Sequence, residues 1–402
     1  MKRKLLLFTA LISAAVLVSC EKQKPTPKPE PEPVNSELKG EVTKNLTLKS
    51  KGTYYLTGGL HVKAGATLTI EKGVTIIAKD DNIVDYILIE QGGKIMAAGT
   101  ATEPIVMTSE KKEHGAWGGI HICGKAPINV QGVAKSEIGD ALYGGTVVDD
   151  NSGVMKYVRV EYTGYAFSEE KESNGMTFYG VGNGTTLEYL QAYMGSDDGF
   201  EWFGGTVNVK YLVSKDNTDD SFDWTQGWNG KAQFLVAQQI SAGCDCLIEA
   251  DNNSKNNDLN PVSHPILSNI TLIGNNSKEN VRGIRLRAGT HVQIYNTLVT
   301  GKPSSITVET TQTENALKNG TSKLEYIYTS KGLSSKEKIY TEEQFVSNKN
   351  NAINQNINLS GIIGSIPGGK DMTKIDASFF IFTDYKGAIA SADKDWTKGW
   401  TK

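Results

Sequence analysis

Two acidic segments near the middle of the chain match each other almost residue for residue. They are residues 197–202 (DDGFEW) and 219–224 (DDSFDW), and a shorter third copy covers residues 245–249 (DCLIE). Successive side chains of a strand point to opposite faces. Copies in register would therefore stack three carboxylates on the outer face, about 4.8 Å apart: Glu201, Asp223 and Glu249. Thr177 would flank this ladder on one side and Arg285 on the other. Like charges at this spacing destabilise one another, so a bound cation, a shared proton or the arginines Arg285 and Arg287 should offset the repulsion.

A calcium site is one chemistry that this ladder could support. Hard oxygen ligands suit Ca²⁺, and the candidate ligands are Asp198, Glu201, Asp220, Asp223 and Glu249. Residues 216–221 resemble a calcium-binding loop only loosely, because Gly is missing at the sixth position and Gly227 stands where an acid is needed. A simpler interpretation leaves the carboxylates in water and makes the Asp residues turn formers, which accept local backbone hydrogen bonds.

Paired carboxylates could also act as acid and base in glycoside cleavage, or with a metal and an arginine in uronate elimination. The candidate catalytic residues are Glu201, Asp223, Glu249 and Arg285. Neighbouring rungs about 5 Å apart would suit a retaining pair of carboxylates, and alternate rungs about 9.6 Å apart an inverting pair. His121 falls in the same column two or more turns away, where we expect it to face solvent rather than to serve as a base.

Tryptophans accompany the carboxylates. Alternation along the strands predicts that Trp202 and Trp224 point into the core. Trp228 lies in a turn between Gly227 and Asn229, which makes it the better candidate for an exposed platform on which a sugar ring could stack; the simpler interpretation gives it a structural role only. The predicted ligand-binding residues are Trp228, Arg285 and Arg287.

The elements that must position these residues are short strands. From about residue 40, β-branched and aromatic runs alternate with Gly, Asn and Asp, and residues 65–70 recur as residues 92–97. Val209, Tyr211 and Leu212 are aligned with Lys231, Gln233 and Phe234 in the next copy. Repeats of about 22–27 residues with several strands each predict a β-solenoid, whereas a propeller needs about 40–50 residues per blade.

The predicted fold is therefore all-β: a single right-handed parallel β-helix over residues 40–402, with the hand that is usual for parallel crossovers. The polar stretch of residues 310–354 is expected to be a long loop or an irregular segment rather than a second domain. A solenoid needs covered ends, and residues 396–400 (WTKGW) are the expected cap of its last turn.

Several segments of the chain are together similar to an uncharacterised family of Bacteroidetes parallel β-helix lipoproteins with a pectate-lyase-like solenoid. The segments that carry this resemblance are residues 65–76, 117–120, 197–206, 283–289, 384–388 and 395–401. The resemblance implies the fold and an envelope address, and no established activity. β-Helices of the pectinase type include lyases and hydrolases, but this chain has neither the Gly-His-Gly nor the Arg-Ile-Lys segment of polygalacturonases.

The first 20 residues have the order of a bacterial lipoprotein signal. Three basic residues precede an apolar run too short to span a bilayer, and residues 17–20 (LVSC) resemble the lipobox. We expect residues 1–19 to be removed, Cys20 to carry fatty acyl chains such as palmitate, and the Pro-rich residues 20–39 to form an extended tether. Glu21 resembles the pattern sorted to the outer membrane, with either face of that membrane possible.

Composition excludes other classes of protein. A net charge of −3 argues against a nucleic-acid partner. Cys123, Cys244 and Cys246 lack zinc-site spacing and are expected to be buried thiols.

Apart from Ca²⁺, no cofactor is expected. The predicted function is a non-catalytic binding or scaffold protein of the envelope, whose acidic face holds Ca²⁺ and meets a glycan or a surface protein complex; the alternative is a polysaccharide lyase or glycoside hydrolase.

Overall fold

The computed structural model describes residues 37–132, 134–167 and 171–402. One sheet of 23 strands dominates it, and its strand pairings are parallel. This long all-parallel sheet is the one expected of a right-handed parallel β-helix and confirms the predicted fold class. The predicted signal, Cys20 and most of the tether lie outside the described residues. No helix among the described residues is long and apolar enough to cross a membrane.

The front face of the solenoid carries one short strand per turn. This face begins with β1 (Glu37–Val42), which pairs with β3 (Thr53–Val62). The strands that follow β3 along this face, in order, are β6 (Tyr86–Ile89), β9 (Ile120–Cys123), β13 (Met176–Tyr179), β15 (Phe200–Phe203), β17 (Phe222–Thr225), β19 (Ile248–Ala250), β21 (Arg282–Leu286), β23 (Ser304–Val308) and β25 (Leu333–Ser335). Each of these strands is only three to five residues long except β1 and β3, which continue into a neighbouring face.

The two remaining faces are built from short separate strands in the first turns and from long bent strands in the later turns. The first turns use separate strands: β2 (Leu46–Leu48), β4 (Thr67–Ile70), β5 (Thr75–Ala78), β7 (Lys94–Ala98) and β8 (Ile105–Ser109). Later turns use one bent strand for both faces: β12 (Gly153–Glu161), β14 (Thr186–Tyr193), β16 (Asn208–Lys215), β18 (Lys231–Gln238), β20 (Ile266–Ile273), β22 (Gln293–Thr300) and β24 (Lys323–Thr329).

The bend in each long strand has a left-handed residue at its corner. The corner residues, with φ between 51° and 64°, are Tyr157, Tyr189, Tyr211, Phe234, Asn269, Asn296 and Tyr326. A left-handed conformation is unfavourable for an aromatic residue, but successive rings stack outside, 4.3 Å apart between Tyr157 and Tyr189 and again between Tyr189 and Tyr211. Asn tolerates this conformation better. We call this line of corner residues the corner ridge.

The interior is one continuous hydrophobic cluster that extends from Leu38 to Phe345. Inward-pointing aromatic residues fill its middle turns, and Trp202 and Trp224 are fully buried there, as predicted. The ring of Trp202 lies 4.6 Å from that of Trp228, which approaches from the following turn. The outward positions between these core residues remain available for polar side chains.

The sequence alignment of two middle strands was wrong by one residue. Val209 pairs with Ala232 and Leu212 with Leu235, so that Phe234, and not Gln233, follows Tyr211 on the corner ridge. The turn before β18 is one residue longer than the turn before β16. A period counted from the acidic segments alone missed this insertion.

The prediction of an irregular segment over residues 310–354 was also wrong. It contains α1 (Thr311–Lys318), the strands β24 and β25, and α2 (Glu342–Ser347), so the solenoid continues through it for another turn. Phe345 of α2 is buried in the core against this last turn. The cap is therefore α2 and not residues 396–400.

The C-terminal residues instead return along the corner ridge. β26 (Gly364–Pro367) and β27 (Tyr385–Ile389) form an antiparallel pair, α3 (Thr373–Asp376) lies between them, and a 3-10 turn (Ala392–Lys394) follows. Trp400 is buried against Tyr157 and Tyr189, and the Asn269 amide donates to the main-chain oxygens of Tyr385 and Gly387. A hairpin, β10 (Ala134–Lys135) with β11 (Leu142–Tyr143), completes the secondary structure.

Candidate acidic site

Strand register on the front face brings the predicted carboxylates together. Glu201 pairs with Asp223, Asp223 with Glu249, and Glu249 with Arg285. On the other side the column continues through Thr177 to His121. The predicted ladder is therefore confirmed, including the positions of its two flanks.

Most of these carboxylates do not point into water. Glu201 is 8% exposed and Glu249 9%, and Asp198 and Asp220 are also buried. Asp223 is half-buried. The interpretation of a solvated row of acids is therefore wrong for this part of the ladder, and each carboxylate needs a partner that replaces water.

The hairpin β10–β11 lies over the first half of the front face. Tyr143 packs on Tyr179 and Phe203, with ring centroids 4.9 and 6.5 Å away. The Tyr179 hydroxyl donates to Glu137 at 2.9 Å. Asn174 donates to Glu201 at 2.6 Å from a neighbouring loop. Glu201 is thus enclosed by segments that lie outside the repeating strands.

Acidic groups from the turns join those on the strands. Three overlapping sets each have carboxylate oxygens within 4.8 Å of one another: Asp198 with Glu201 and Asp223, Asp197 with Asp198 and Asp219, and Asp219 with Asp220 and Asp245. We call these seven residues the acidic cluster. Hydrogen bonds from the main chain of Asp220 to Asp198 and of Cys246 to Asp220 tie successive turns together.

Burial raises the pKa of most groups in the acidic cluster. The pKa of Asp198, Glu201, Asp220 and Asp223 is held well above the ordinary carboxyl value, first by burial and then by neighbouring carboxylates. Burial also raises the pKa of Asp197 to about 8, with help from the charge of Asp219. The free cluster therefore resists full ionisation at neutral pH.

Arginines neutralise only the far end of the ladder. Arg285 donates to Glu249 at 2.8 Å and also bonds to Glu309 at 3.1 Å. Arg287 pairs with Glu249 and with Asp251, the latter at 2.7 Å. Both oxygens of Glu249 are thus engaged, although it also lies in a group with Asp220 and Cys246 that could hold a metal. Arg285 and Arg287 therefore offset the charge repulsion at Glu249, as predicted, but they do not offset it in the acidic cluster.

Two carboxylate oxygens in the acidic cluster are buried without a hydrogen-bond partner in the described part of the chain. They are Oδ1 of Asp223 and Oδ1 of Asp245. A buried polar atom left unsatisfied is unfavourable by about 1–3 kcal/mol, and more if it is charged. Asp223 and Asp245 each belong to one of the three-carboxylate sets, where a bound cation would be a partner for carboxylate oxygens.

The predictions for Trp228 and His121 need correction. Trp228 is 1% exposed, packs on Trp202 and donates to the main-chain oxygen of Val207 at 3.1 Å. It therefore cannot form an exposed sugar platform, because its turn folds inward to extend the core. His121 is buried rather than solvent-facing, and burial lowers its pKa to about 4.

The three described cysteines are free and buried, as predicted. Burial raises the pKa of the Cys123 and Cys244 thiols to about 12.

Sequence reasoning missed Glu137 and Asn174. Glu137 lies on the β10–β11 hairpin, and its charge, after burial, raises the pKa of Glu201. Both residues belong to insertions between front-face strands, where no repeat copy exists for comparison. No spacing signal in the sequence pointed to either residue.

A parallel β-helix with an enclosed acidic face is the class of protein that this fold and site define. The family model described as "Pectate-lyase like beta helix domain" matches residues 40–401. The chain therefore belongs to the family of pectate-lyase-like β-helix domains. No curated protein and no solved structure matches it.

Proposed function

We propose that this protein is a non-catalytic binding protein of the cell envelope, whose acidic cluster holds Ca²⁺ and uses it to bind a glycan. The observation that carries the proposal is the set of Asp198, Glu201 and Asp223, whose oxygens converge within 4.8 Å. One of these residues, Asp223, has a buried oxygen with no described hydrogen-bond partner. Converging anionic oxygens are the ligands that Ca²⁺ prefers.

The positions of the basic side chains favour a bound cation over an internal ion pair at the acidic cluster. Arg285 and Arg287 are engaged by Glu249, Asp251 and Glu309, at the far end of the ladder. Lys302 is buried nearby, but its ammonium donates to main-chain oxygens of Cys244 and Asp245. Among the described residues no basic side chain makes a salt bridge to the acidic cluster.

A non-catalytic role is supported by how the carboxylates are held. Glu201 accepts from Asn174, Glu249 is paired with two arginines, and one oxygen of Asp223 is buried. A general acid or base has to reach the bond it cleaves. These contacts suit ligands of a cation better than groups that exchange protons with a polysaccharide.

The envelope address is supported by residues 1–20, in which a basic start and an apolar run end in the lipobox-like LVSC. Anchoring through Cys20 would place the β-helix on a Pro-rich tether at the outer membrane. Labelling of cells with radioactive palmitate tests this part: the chain should carry label, and Cys20→Ala should not.

The decisive experiment measures Ca²⁺ binding by the full chain, purified in detergent. Isothermal titration should detect binding, and the melting temperature should be several degrees higher in millimolar Ca²⁺ than in EDTA. A ligand at 100 times its dissociation constant stabilises a protein by about 2.7 kcal/mol. Glu201→Gln/Asp223→Asn should abolish both effects.

The matched control is Asp149→Asn/Glu279→Gln, which removes two exposed acids outside the acidic cluster. It should bind Ca²⁺ like the natural chain. Absence of binding to the natural chain, together with a Glu201→Gln/Asp223→Asn variant that melts higher, would overturn the proposal, because the carboxylates would then be uncompensated strain.

A further inference from the structure

A cavity of about 350 Å³ opens beside the acidic cluster on the front face. Its floor is Thr225 and Gln226, at the end of the strand that carries Asp223. Its walls come from two loops, one at Val130 and Gln131 and the other at residues 253–259. Thr225 is two residues from Asp223 and shares its outward side, so the floor begins about 7 Å from that carboxylate.

The two walls are held in place by a buried network of amides. Asn129 donates to the side-chain oxygen of Asn252 at 2.7 Å and to the main-chain oxygen of Pro261 at 3.1 Å. Asn253 donates back to Asn129 at 3.1 Å, and Asn252 donates to two main-chain oxygens of its own loop. Asn129 and Asn252 are both buried. The cavity is therefore formed before any ligand arrives, which lowers the entropy lost on binding.

Polar groups that line the cavity retain free hydrogen-bonding capacity. In the described part of the chain, the side chains of Thr225, Ser254 and Lys255 make no hydrogen bond. Gln226 accepts from the Tyr143 hydroxyl through Oε1, and Asn256 accepts through Oδ1. The NH₂ groups of both side chains make no hydrogen bond to any described residue.

This combination of groups selects a class of ligand. Amides and hydroxyls offer donors and acceptors side by side, which suits the hydroxyl groups of a sugar. Val130 and Leu259 add small apolar surfaces that can lie against the C–H groups of a ring. Among the described residues of the lining, Lys255 is the only basic one and none is aromatic, which disfavours phosphate and nucleobase ligands.

From this geometry we infer that the cavity is a binding site for one neutral disaccharide unit of a glycan. The inference rests on the proposed function in taking a glycan as the ligand, but it places the sugar contacts on residues 225–226 and 253–259, apart from the acidic cluster. The volume lies at the small end of the range for ligand pockets, about 300–1,000 Å³. Recognition without an aromatic platform should be weak, so the expected dissociation constant is in the millimolar range.

Saturation-transfer NMR on the full chain in detergent tests the inference. The probes are cellobiose, maltose, lactose, xylobiose and α-1,2-mannobiose, each in Ca²⁺ and in EDTA. At least one disaccharide should bind, and Ser254→Trp, which fills the cavity from its exposed wall, should weaken that binding at least tenfold. Thr225→Val, which removes a free hydroxyl without changing size, should weaken it several-fold.

Ser334→Trp is the matched control, since Ser334 is exposed on a distant strand of the same face. It should bind like the natural chain. Failure of all five probes to bind, or binding that survives Ser254→Trp, would overturn the inference while leaving Ca²⁺ binding to be judged by itself. Disaccharide binding that persists in EDTA and in Glu201→Gln/Asp223→Asn would support the cavity even if the calcium proposal fails.

Discussion

Asp223 lies between two other carboxylates of the ladder, Glu201 and Glu249. Burial, followed by the charge of Glu249, holds its pKa well above the ordinary value. The folded chain therefore keeps protons that the unfolded chain releases near pH 4. Stability from such groups is fully present below about pH 4 and is lost as pH rises through their folded pKa, which is about 8 for Asp197.

We therefore predict that the protein in EDTA melts at a lower temperature at pH 8 than at pH 6.5. Buried His121, with its pKa lowered to about 4, has the opposite sign of effect, but only below its unfolded value of 6.5. At the proposed site Ca²⁺ would compete with protons for the same oxygens, so its stabilising effect should grow over this range. Thermal melts with and without Ca²⁺ measure both trends.

Asp223→Asn should flatten the pH dependence in EDTA, whereas Asp149→Asn should leave it unchanged. An equal slope in both variants would show that the buried carboxylates are not the groups that titrate.

At the scale of elements, the C-terminal segment is a structural part of the solenoid. Trp400 is buried against the stacked rings of Tyr157 and Tyr189, and its main-chain oxygen accepts from Arg159 at 2.7 Å. This contact covers the apolar side of the corner ridge, where aromatic residues hold left-handed backbone conformations. The segment therefore stabilises the corner ridge from outside.

Trp400→Ala should lower the free energy of unfolding by about 3–5 kcal/mol, as is usual when a buried tryptophan is removed. Denaturant unfolding followed by circular dichroism measures the change. Phe382→Ala, which removes a largely exposed aromatic residue of the same segment, should change stability by less than about 0.5 kcal/mol. Equal effects of the two substitutions would contradict a structural role for the Trp400 contact.

At the scale of the whole molecule, the β-helix presents a rigid face with an acidic cluster, a neutralised end and a cavity beside them. The chain belongs to the family of pectate-lyase-like β-helix domains, and the fold of this family by itself does not establish an activity. The enzymatic alternative assigns acid and base roles to Glu201 and Asp223. The hydrogen bond from Asn174 to Glu201 and the buried oxygen of Asp223 lead us to expect binding without cleavage.

We predict no new reducing ends and no unsaturated products when the protein is incubated with a panel of neutral and acidic polysaccharides. Reducing-sugar assays and absorbance at the wavelength of unsaturated uronates detect the two outcomes. Product that is formed by the natural chain and lost in Asp223→Asn would establish catalysis on the ladder and contradict the non-catalytic proposal.

Local periodicity was enough to predict the solenoid, the inward direction of Trp202 and Trp224, and the column of Glu201, Asp223 and Glu249. These features depend on the alternation of side chains along a strand and on pairing between similar copies, and both can be counted along a chain. The pairing of Arg285 with Glu249 followed from the same count.

Tertiary structure alone decided which of these residues meet water. The β10–β11 hairpin brings Glu137 to the ladder, a longer turn folds Trp228 into the core, and α2 rather than the last residues closes the end of the solenoid. Each outcome depends on a non-repeating segment that packs against turns distant in sequence. Such contacts do not recur with the repeat. Burial sets the charge state of the acidic cluster and depends on these contacts, so it could not be predicted from the periodicity of the sequence.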